Sequence, residues 1–499
     1  METTTLSAAL NVADGTLIRQ CQDLHRHQRV AEVPGYGRIY GLLEMGQSQV
    51  GNFKSLRHRI RSLLHWVAFR WACLLRCDAS QVGTMTLHKF LPLLLLTPIS
   101  SIRAVEASAS GFDKIQLTDQ FWAEGANAGD FNKDGKMDIV YGPYWWEGPD
   151  FQKRHQFAPA TESFKTKKDD GAEVTVPGFE GALGKNNTYS KNFVVFSHDF
   201  NSDGWVDILI LGFPGEASWW FENPKAGEAE WKRHTAIDVT DNESPTFTDI
   251  TGDGKPELVC SSGGFLGYAE PNAADPTAKW AWHPISPKGR WERFTHGLGV
   301  GDMNGDGRMD LLESEGWWEQ PSSLEGNPVW KKNDALFGSG GAQMHAYDVN
   351  GDGRNDVITS LEAHGFGVAW FEQTLEAGAV GWTKHLIVGS KPEENPQGVK
   401  FSQPHAVDLV DMDGDGLKDV ITGKRFWAHG PGGDAEPNAA PVLYWFQLKR
   451  EGGKASYTAH LIDDASGIGT QVVARDLNGD AKPDVIVGNK RGAFVFRRK

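Results

Sequence analysis

The stretch Asp130-Phe131-Asn132-Lys133-Asp134-Gly135-Lys136-Met137-Asp138 decides how the chain is read. Side-chain oxygens at positions one, three and five of such a loop converge on one hard cation. A glycine at position six permits the sharp turn, and a carboxylate at position nine closes the shell. The pattern returns at Asp199/Asn201/Asp203/Asp207, Asp249/Asp253/Glu257, Asp302/Asn304/Asp306/Asp310, Asp348/Asn350/Asp352/Asp356, Asp411/Asp413/Asp415/Asp419 and Asp476/Asn478/Asp480/Asp484. A single copy is an Asx-rich turn. Seven copies starting 46 to 69 residues apart are a repeat architecture. All-oxygen ligation predicts several Ca2+ ions rather than zinc. Thr251 in the third copy, and Ala481 at the glycine position of the seventh, mark these two as the weaker sites.

Working outward from the loops excludes EF-hands. An EF-hand needs Glu at position twelve and a helix on each side, and only the fourth copy supplies that residue, Glu313. The segment after each loop is strand-like instead, as in Asp207-Ile-Leu-Ile-Leu211 and Asp356-Val-Ile-Thr359. An aromatic strand comes next (Trp145-Trp146, Trp219-Trp220, Trp317-Trp318, Trp370-Phe371, Tyr444-Trp445). A fourth strand then carries His155, His234, His283, His385 or His460. Four short strands per unit are one propeller blade. The recurrence of these histidines on the outermost strand assigns them a structural role. The last unit ends after its third strand, and Phe112–Leu117 supplies the missing fourth. The sequence therefore predicts an all-β, seven-bladed β-propeller of four-stranded blades, closed by the N-terminal strand joining the last blade.

These loops and flanking strands resemble the FG-GAP/VCBS repeats of secreted bacterial proteins and of integrin α-subunit heads. The resemblance spans 112–499, lies closer to the bacterial form, and implies calcium loops without implying an integrin partner.

Composition bounds the partners. The chain has 499 residues, 50 Lys plus Arg against 65 Asp plus Glu, and a net charge of −15. That balance excludes an electrostatic nucleic-acid binder. Four cysteines exclude a disulfide-stapled scaffold. Residues 1–84 carry none of the repeat and read as a non-globular extension upstream of the true start. Met85 opens a secretory signal: Lys89, the apolar run Phe90–Leu96, and Ala-Val-Glu-Ala at 104–107 before the cleavage point. Residues 85–107 are thus expected to be a signal peptide. Residues 108–499 are expected to be the exported propeller, secreted, periplasmic or at the cell surface, with no membrane span.

The blade also places the ligand. The cation loop lies at one end of the innermost strand, so the start of that strand and the loop after the second strand share the opposite face. His296, His345 and His405 begin innermost strands, accompanied by Gln343, Gln403 and Gln471. Glu313, Glu315, Glu362, His364, Lys424, Arg425, Trp427, His429, Lys490 and Arg491 lie on loops of that funnel. Histidines with carboxylates beside them have the composition of a transition-metal or acid–base site. That makes His296, His345, His405, His364, His429 and Arg425 the catalytic candidates and adds one transition metal in the funnel to the expected ions. Cations near Trp427 suit an acidic or polyhydroxylated ligand, and Trp282 is a second candidate for stacking on a sugar. No nucleophile elbow, phosphate loop or nucleotide fingerprint is present. The leading expectation is a secreted calcium-stabilised binding or adhesion module for a carbohydrate or protein ligand. The alternatives are a metal-dependent sugar lyase or dehydratase using the inner histidines, and an envelope scaffold component.

Overall fold

The computed structural model describes residues 111–160, 163–167, 171–177, 189–225, 230–395 and 397–499. The expectations for 1–84 and for the signal at 85–107 lie outside the described residues.

The described chain is a propeller-like arrangement of small four-stranded antiparallel sheets, with one short 3-10 turn at Pro392–Glu394 and no α-helix among the described residues. Sheet I comprises Ala126–Gly129, Asp138–Tyr141, Tyr144–Trp146 and Arg154–Gln156. Sheet II runs Val194–His198, Asp207–Leu211, Glu216–Glu222 and Lys232–Thr240. Sheet III continues with Thr246–Thr248, Glu257–Ser262, Phe265–Glu270 and Ala281–Pro284. Sheet V holds Val407–Val410, Asp419–Gly423, Leu443–Glu451 and Lys454–Asp463. Sheet VI holds Val472–Arg475, Asp484–Asn489 and Gly492–Arg498, and its outer strand is Phe112–Thr118, from the other end of the repeat region.

Sheet IV departs from the expected row of separate blades, because it has eight strands. Its halves are Leu298–Gly301 to Lys331–Asp334 and Gln343–Tyr347 to Ala379–Val388, joined by parallel pairing of Leu298, Gly299 and Val300 with Gln343, Met344 and His345. Glycine causes the merger. A Cβ on Gly299 would stand 2.0 Å from Met344 O, and one on Gly301 would stand 2.2 Å from the Ala346 Cβ. Only a bare backbone lets two innermost strands come so close.

Burial explains the strand sequences. Second strands such as Asp207–Leu211 are buried along their whole length and read as continuous apolar runs, whereas outer strands alternate with solvent. The core lies between sheets rather than within one. Val140, Trp145 and Phe157 of sheet I pack on Ile208, Phe221 and Trp231 of the sheet II unit. Ile139, Tyr141 and Trp146 on the other face of sheet I pack on Leu477, Ile486 and Val495 of the sheet VI unit. Each of the five outer-strand histidines lies opposite an aromatic residue of the third strand and stacks on it, His234 on Trp220 and His283 on Tyr268 at 4.5 and 4.8 Å. The other separations are 4.0 Å for His155 on Trp145 and 4.2 Å for both His385 on Trp370 and His460 on Trp445. A neighbouring carboxylate hydrogen-bonds the same imidazole in three of them: Glu147 with His155 at 2.7 Å, Glu222 with His234 at 2.9 Å and Glu372 with His385 at 2.8 Å. These stacks are the cross-strand contact of a repeating blade.

Candidate functional site

All seven oxygen-lined loops share one hydrogen-bond scheme. The first carboxylate accepts the N–H of residue six at 2.7 to 3.0 Å in every copy, including that of Ala481. The ninth carboxylate is buried and accepts the N–H of residue two at 2.9 to 3.2 Å. In every copy but the third, its other oxygen accepts an N–H from the later half of the third strand or just beyond it, such as Leu448 or Gly148. This residue therefore ties loop to blade. Burial pushes it up, to about 6 for Asp138, Asp310 and Asp356 and about 7 for Asp207, Glu257 and Asp419, against the opposing effect of those N–H groups.

The expected ligands at positions three and five are engaged within the loops themselves. Asn132, Asn201, Asn304, Asn350 and Asn478 each accept, through Oδ1, the N–H of the residue two places on, at 2.9 to 3.0 Å. The side-chain amides of Asn304, Asn350 and Asn478 also donate to Asp306, Asp352 and Asp480 at 3.0 to 3.2 Å. At position five, Asp134, Asp203, Asp415 and Asp480 accept the N–H of residues 136, 205, 417 and 482 at 2.8 to 2.9 Å. Short amides and carboxylates in a tight turn satisfy the backbone two residues on. The sequence expectation turned all of these oxygens toward one cation. In the structure, the partners of Asn201, Asp203, Asn304, Asn350, Asp415, Asn478 and Asp480 are loop groups and neighbouring side chains.

The loops differ in what faces the cation position. Asp411, Asp413 and Asp419 each bring an oxygen within 4.8 Å of the others, a group that Asp415 does not join, and so do Asp249, Asp253 and Glu257. The third loop, expected to be weak for want of a ligand at Thr251, thus gathers three carboxylates. In the second loop Lys225 Nζ lies 3.1 Å from Asp203 Oδ2. In the fourth and fifth, Arg308 and Arg354 pair with Asp306 and Asp352. An all-oxygen, carboxylate-rich donor set fits a hard divalent cation.

At the other end of the innermost strands lies a second cluster. The residue six places before each loop's first aspartate is Glu124, Phe193, Glu243, His296, Ala342, His405 or Thr470. Equivalent places around the sheets therefore bring Glu124, Glu243, His296 and His405 to one mouth. Glu243 Oε2 stands 3.1 Å from His405 Nε2 and 3.5 Å from His296 Nε2, and the two Nε2 atoms are 3.3 Å apart. The His364 ring is 5.2 Å from that of His296, 5.1 Å from that of His405 and 4.4 Å from that of His429. Asp434 accepts from His429 Nδ1 at 2.7 Å and lies 3.5 Å from His364 Nδ1.

Arg425 is fully buried beside them, with Nη2 3.0 Å from Glu124 Oε2 and Nη1 3.8 Å from Glu243 Oε2. Its guanidinium lies 5.8 Å from the Tyr189 ring, and Lys490 Nζ lies 4.8 Å from the same ring. Lys490 donates to Trp427 O at 2.9 Å, and Lys424 to Ser402 Oγ at 2.8 Å.

Electrostatics set the charge states. Burial, then the charges of His405 and Arg425, hold His364 down to about 2. Burial and Arg425 hold His405 down to about 4 against the pull of Glu243. Both imidazoles are therefore neutral at pH 7. Glu243 stays ionised: burial would raise it, but hydrogen bonds from His296 and His405 keep it well below the carboxylate range. Burial lowers Lys424 and Lys490 to about 8. A polar cavity of about 200 Å3, lined by Asn242, Arg290, Thr295, His296, Glu313 and Ser339, adjoins His296.

Of the residues expected in the funnel, His296, His405, His364, His429, Arg425, Lys424, Trp427 and Lys490 do come together. His345 does not join their imidazoles. It sits three residues from the first loop residue rather than six, about 10 Å further along the strand at ~3.3 Å per residue, and contacts Val407 O at 3.0 Å. Gln343 and Gln471 cross-link inner strands instead: Gln343 accepts from Val407 N, and Gln471 both accepts from Val195 N and donates to Val195 O. Gln403 is buried and accepts from Ala428 N. Glu313 and Glu315 pair with Arg290 at 2.7 and 3.3 Å. Arg491 lies over Phe426, and Trp282 packs at the outer edge between sheets II and III. Glu124, Glu243, Tyr189 and Asp434 were not anticipated. Counting six residues back from each loop finds the two glutamates. No comparable register marks the tyrosine or the aspartate.

The loops lie between the first and second strands of the sheets. Residues 199–260 match the FG-GAP-like repeat. The matched segment begins at the second loop, Asp199, runs through sheet II and the third loop, and ends in the second strand of sheet III. No curated protein is significantly similar in sequence to the chain. Among solved structures, an Agrocybe aegerita lectin described by its specific recognition of non-reducing terminal N-acetylglucosamine is 16% identical, with a TM-score of 0.37 over 59% of this chain and 73% of its own. The exotype rhamnogalacturonan lyase YesX is 12% identical, with a TM-score of 0.39 over 78% of this chain and 76% of its own. A Bacillus licheniformis rhamnogalacturonan lyase is 12% identical, with a TM-score of 0.37 over the same shares.

Proposed function

We propose that this chain is an exported, calcium-stabilised propeller that binds an acidic, polyhydroxylated ligand, a carbohydrate bearing carboxylates, at the mouth of its central channel. One observation carries the reading. Arg425, Lys424 and Lys490 are buried together at that mouth, beside imidazoles and aromatic rings contributed by several sheets. Burying cations costs stability, and nothing in the blade repeat requires them there. Such a set belongs to a site.

The architecture in this reading is seven blades, with sheet IV counted as two and Phe112–Thr118 closing the ring through sheet VI. The pairing of Phe112–Thr118 with Gly492–Arg498 and the shared core of sheets I and VI support it. Calcium is the ion for the loops, supported by their oxygen-only ligands. On binding, Asp203, Asp306 and Asp352 would exchange their lysine or arginine partners for the ion. Export rests on the signal read at 85–107. No helix among the described residues is long and apolar enough to cross a membrane.

A second reading, a sugar lyase or dehydratase, is favoured by the neutral His364 and His405 beside Arg425, whose guanidinium lies 5.8 Å from the Tyr189 ring, a set able to hydrogen-bond a sugar and steady a developing anion. Titration with uronate-containing and neutral oligosaccharides tests the first reading. Binding confined to the uronates and weakened at least ~10-fold by Lys490→Gln is expected from the loss of one desolvated charge pair. Equal binding of neutral sugars, or none at all, would sink it. Appearance of unsaturated sugar products during the titration would move the protein to the second.

A further inference from the structure

We propose that Glu243, His296, His364 and His405 hold one divalent transition-metal ion of the zinc class at the channel mouth. The proposal deepens the ligand-binding reading of the same site, but it stands on other atoms.

Geometry carries it. Glu243 Oε2, His296 Nε2 and His405 Nε2 form a triangle with edges of 3.1, 3.3 and 3.5 Å. A tetrahedral ion with bonds of ~2.0–2.1 Å has its ligand atoms roughly 3.3–3.4 Å apart. The triangle is thus one face of such a site, already assembled. The fourth corner falls to His364, and ligand atoms of all four residues lie within 4.8 Å of one another. Three imidazoles and one carboxylate suit zinc, cobalt or copper rather than calcium, which separates this site chemically from the oxygen-lined loops.

The surroundings fit as well. Asp434 stands 3.5 Å from His364 Nδ1, and Arg425 Nη1 stands 3.8 Å from Glu243 Oε2. The Nδ1 atoms of His364 and His405 are buried and make no hydrogen bond. The fold does not demand this set, since Phe193, Ala342 and Thr470 occupy the equivalent places of other units. A bound ion of this class would polarise a carboxylate or carbonyl oxygen of a ligand at the mouth.

The rival arrangement is a metal-free cluster in which His296, Glu243 and His405 share protons. The full chain, held in excess Ca2+ to saturate the loops, is titrated with Co2+ and followed by its visible absorption, with Zn2+ content measured in parallel. The expected result is one ion per chain, bound with the intense visible bands of tetrahedral cobalt and displaced by Zn2+. Glu243→Gln and His364→Ala should each weaken binding at least ~10-fold, in the range typical of lost metal ligands and their supports. His345→Gln should leave it unchanged. His364 is partly exposed, so its variant remains informative if the buried substitution fails to fold. No cobalt retained in excess Ca2+, or cobalt retained equally by the His364→Ala protein, would overturn the proposal. Uronate binding by metal-free protein would leave the ligand reading standing when the metal fails. Metal binding without any saccharide binding would do the reverse.

Discussion

Changing Arg425 to Met should cost more stability than any other single substitution at the mouth. Arg425 and Glu124 are each 1% exposed and Glu243 is 6% exposed, and the single guanidinium faces both carboxylates, at 3.0 and 3.8 Å. Methionine fills much of the same volume, so the cavity term stays small. The substitution leaves two buried carboxylates without their cation, and breaking a buried pair from one side costs about 3–5 kcal/mol. The pair is not well satisfied even when whole, because Glu124 Oε1 and Arg425 Nε and Nη1 make no hydrogen bond. Replacing both partners should therefore be far milder than replacing one, and Arg425→Met with Glu124→Leu should recover at least ~2 kcal/mol of the loss. Urea unfolding of the wild type, both single variants and the double variant gives the cycle. A loss below ~1 kcal/mol for Arg425→Met would refute the reasoning, since a surface-like pair is worth no more than that.

Ala481 holds φ +64° where the other six loops place glycine at φ +82° to +88°. Ala481→Gly should therefore stabilise by about 0.5–1 kcal/mol, the left-handed penalty of ~1–2 less the flexibility of glycine, and Gly353→Ala should lose a similar amount in the same urea assay. Gly301→Val should cost about 1–3 kcal/mol through overpacking, because its Cβ would meet the Ala346 Cβ at 2.2 Å; an unchanged urea midpoint would contradict the merger of the two halves of sheet IV. Chelating calcium should lower the melting temperature, and Asp411→Ala should reduce the number of bound calcium ions by one; equal ion counts would remove the sixth loop from the set. Lys424 and Lys490 lose their charge as pH rises through about 8, rather than near the usual 10.5, so affinity for an anionic oligosaccharide should fall between pH 7 and 9. Stability should rise from pH 8 to 10, because there the unfolded lysines bind more protons than the folded ones.

The sequence made the blades legible because the loop, the buried second strand and the aromatic third strand recur with fixed offsets, and each offset has a local cause. Fusion of sheet IV had a cause as local, the Gly299-Val300-Gly301 run, but its consequence depends on a strand more than 40 residues away. Placing His345 with His296 and His405 treated the start of a strand as one position. The structure resolves it into two levels three residues apart, and only the upper level reaches the mouth. Glu243 was missed for the complementary reason: a lone glutamate in the run Asp241-Asn242-Glu243-Ser244-Pro245 reads as a loop residue until the loop register is used as a ruler.

That ruler also separates scaffold from site. Position nine of the loop is a carboxylate in all seven units, because it clamps backbone N–H groups that every blade must satisfy. Six residues before the loop, the same strand ends at the channel mouth, where no backbone N–H common to every blade depends on the side chain, although Thr470 donates through Oγ1 to the carbonyls of Phe193 and Glu124. There the seven residues diverge into two glutamates, two histidines, a phenylalanine, an alanine and a threonine. In a repeat protein, the position that every unit keeps reports on folding. The position at which units differ, while their charged members still converge within hydrogen-bonding distance, reports on what the molecule holds. By that criterion the loops belong to the scaffold, and Glu243, His296 and His405 with Arg425 belong to the site.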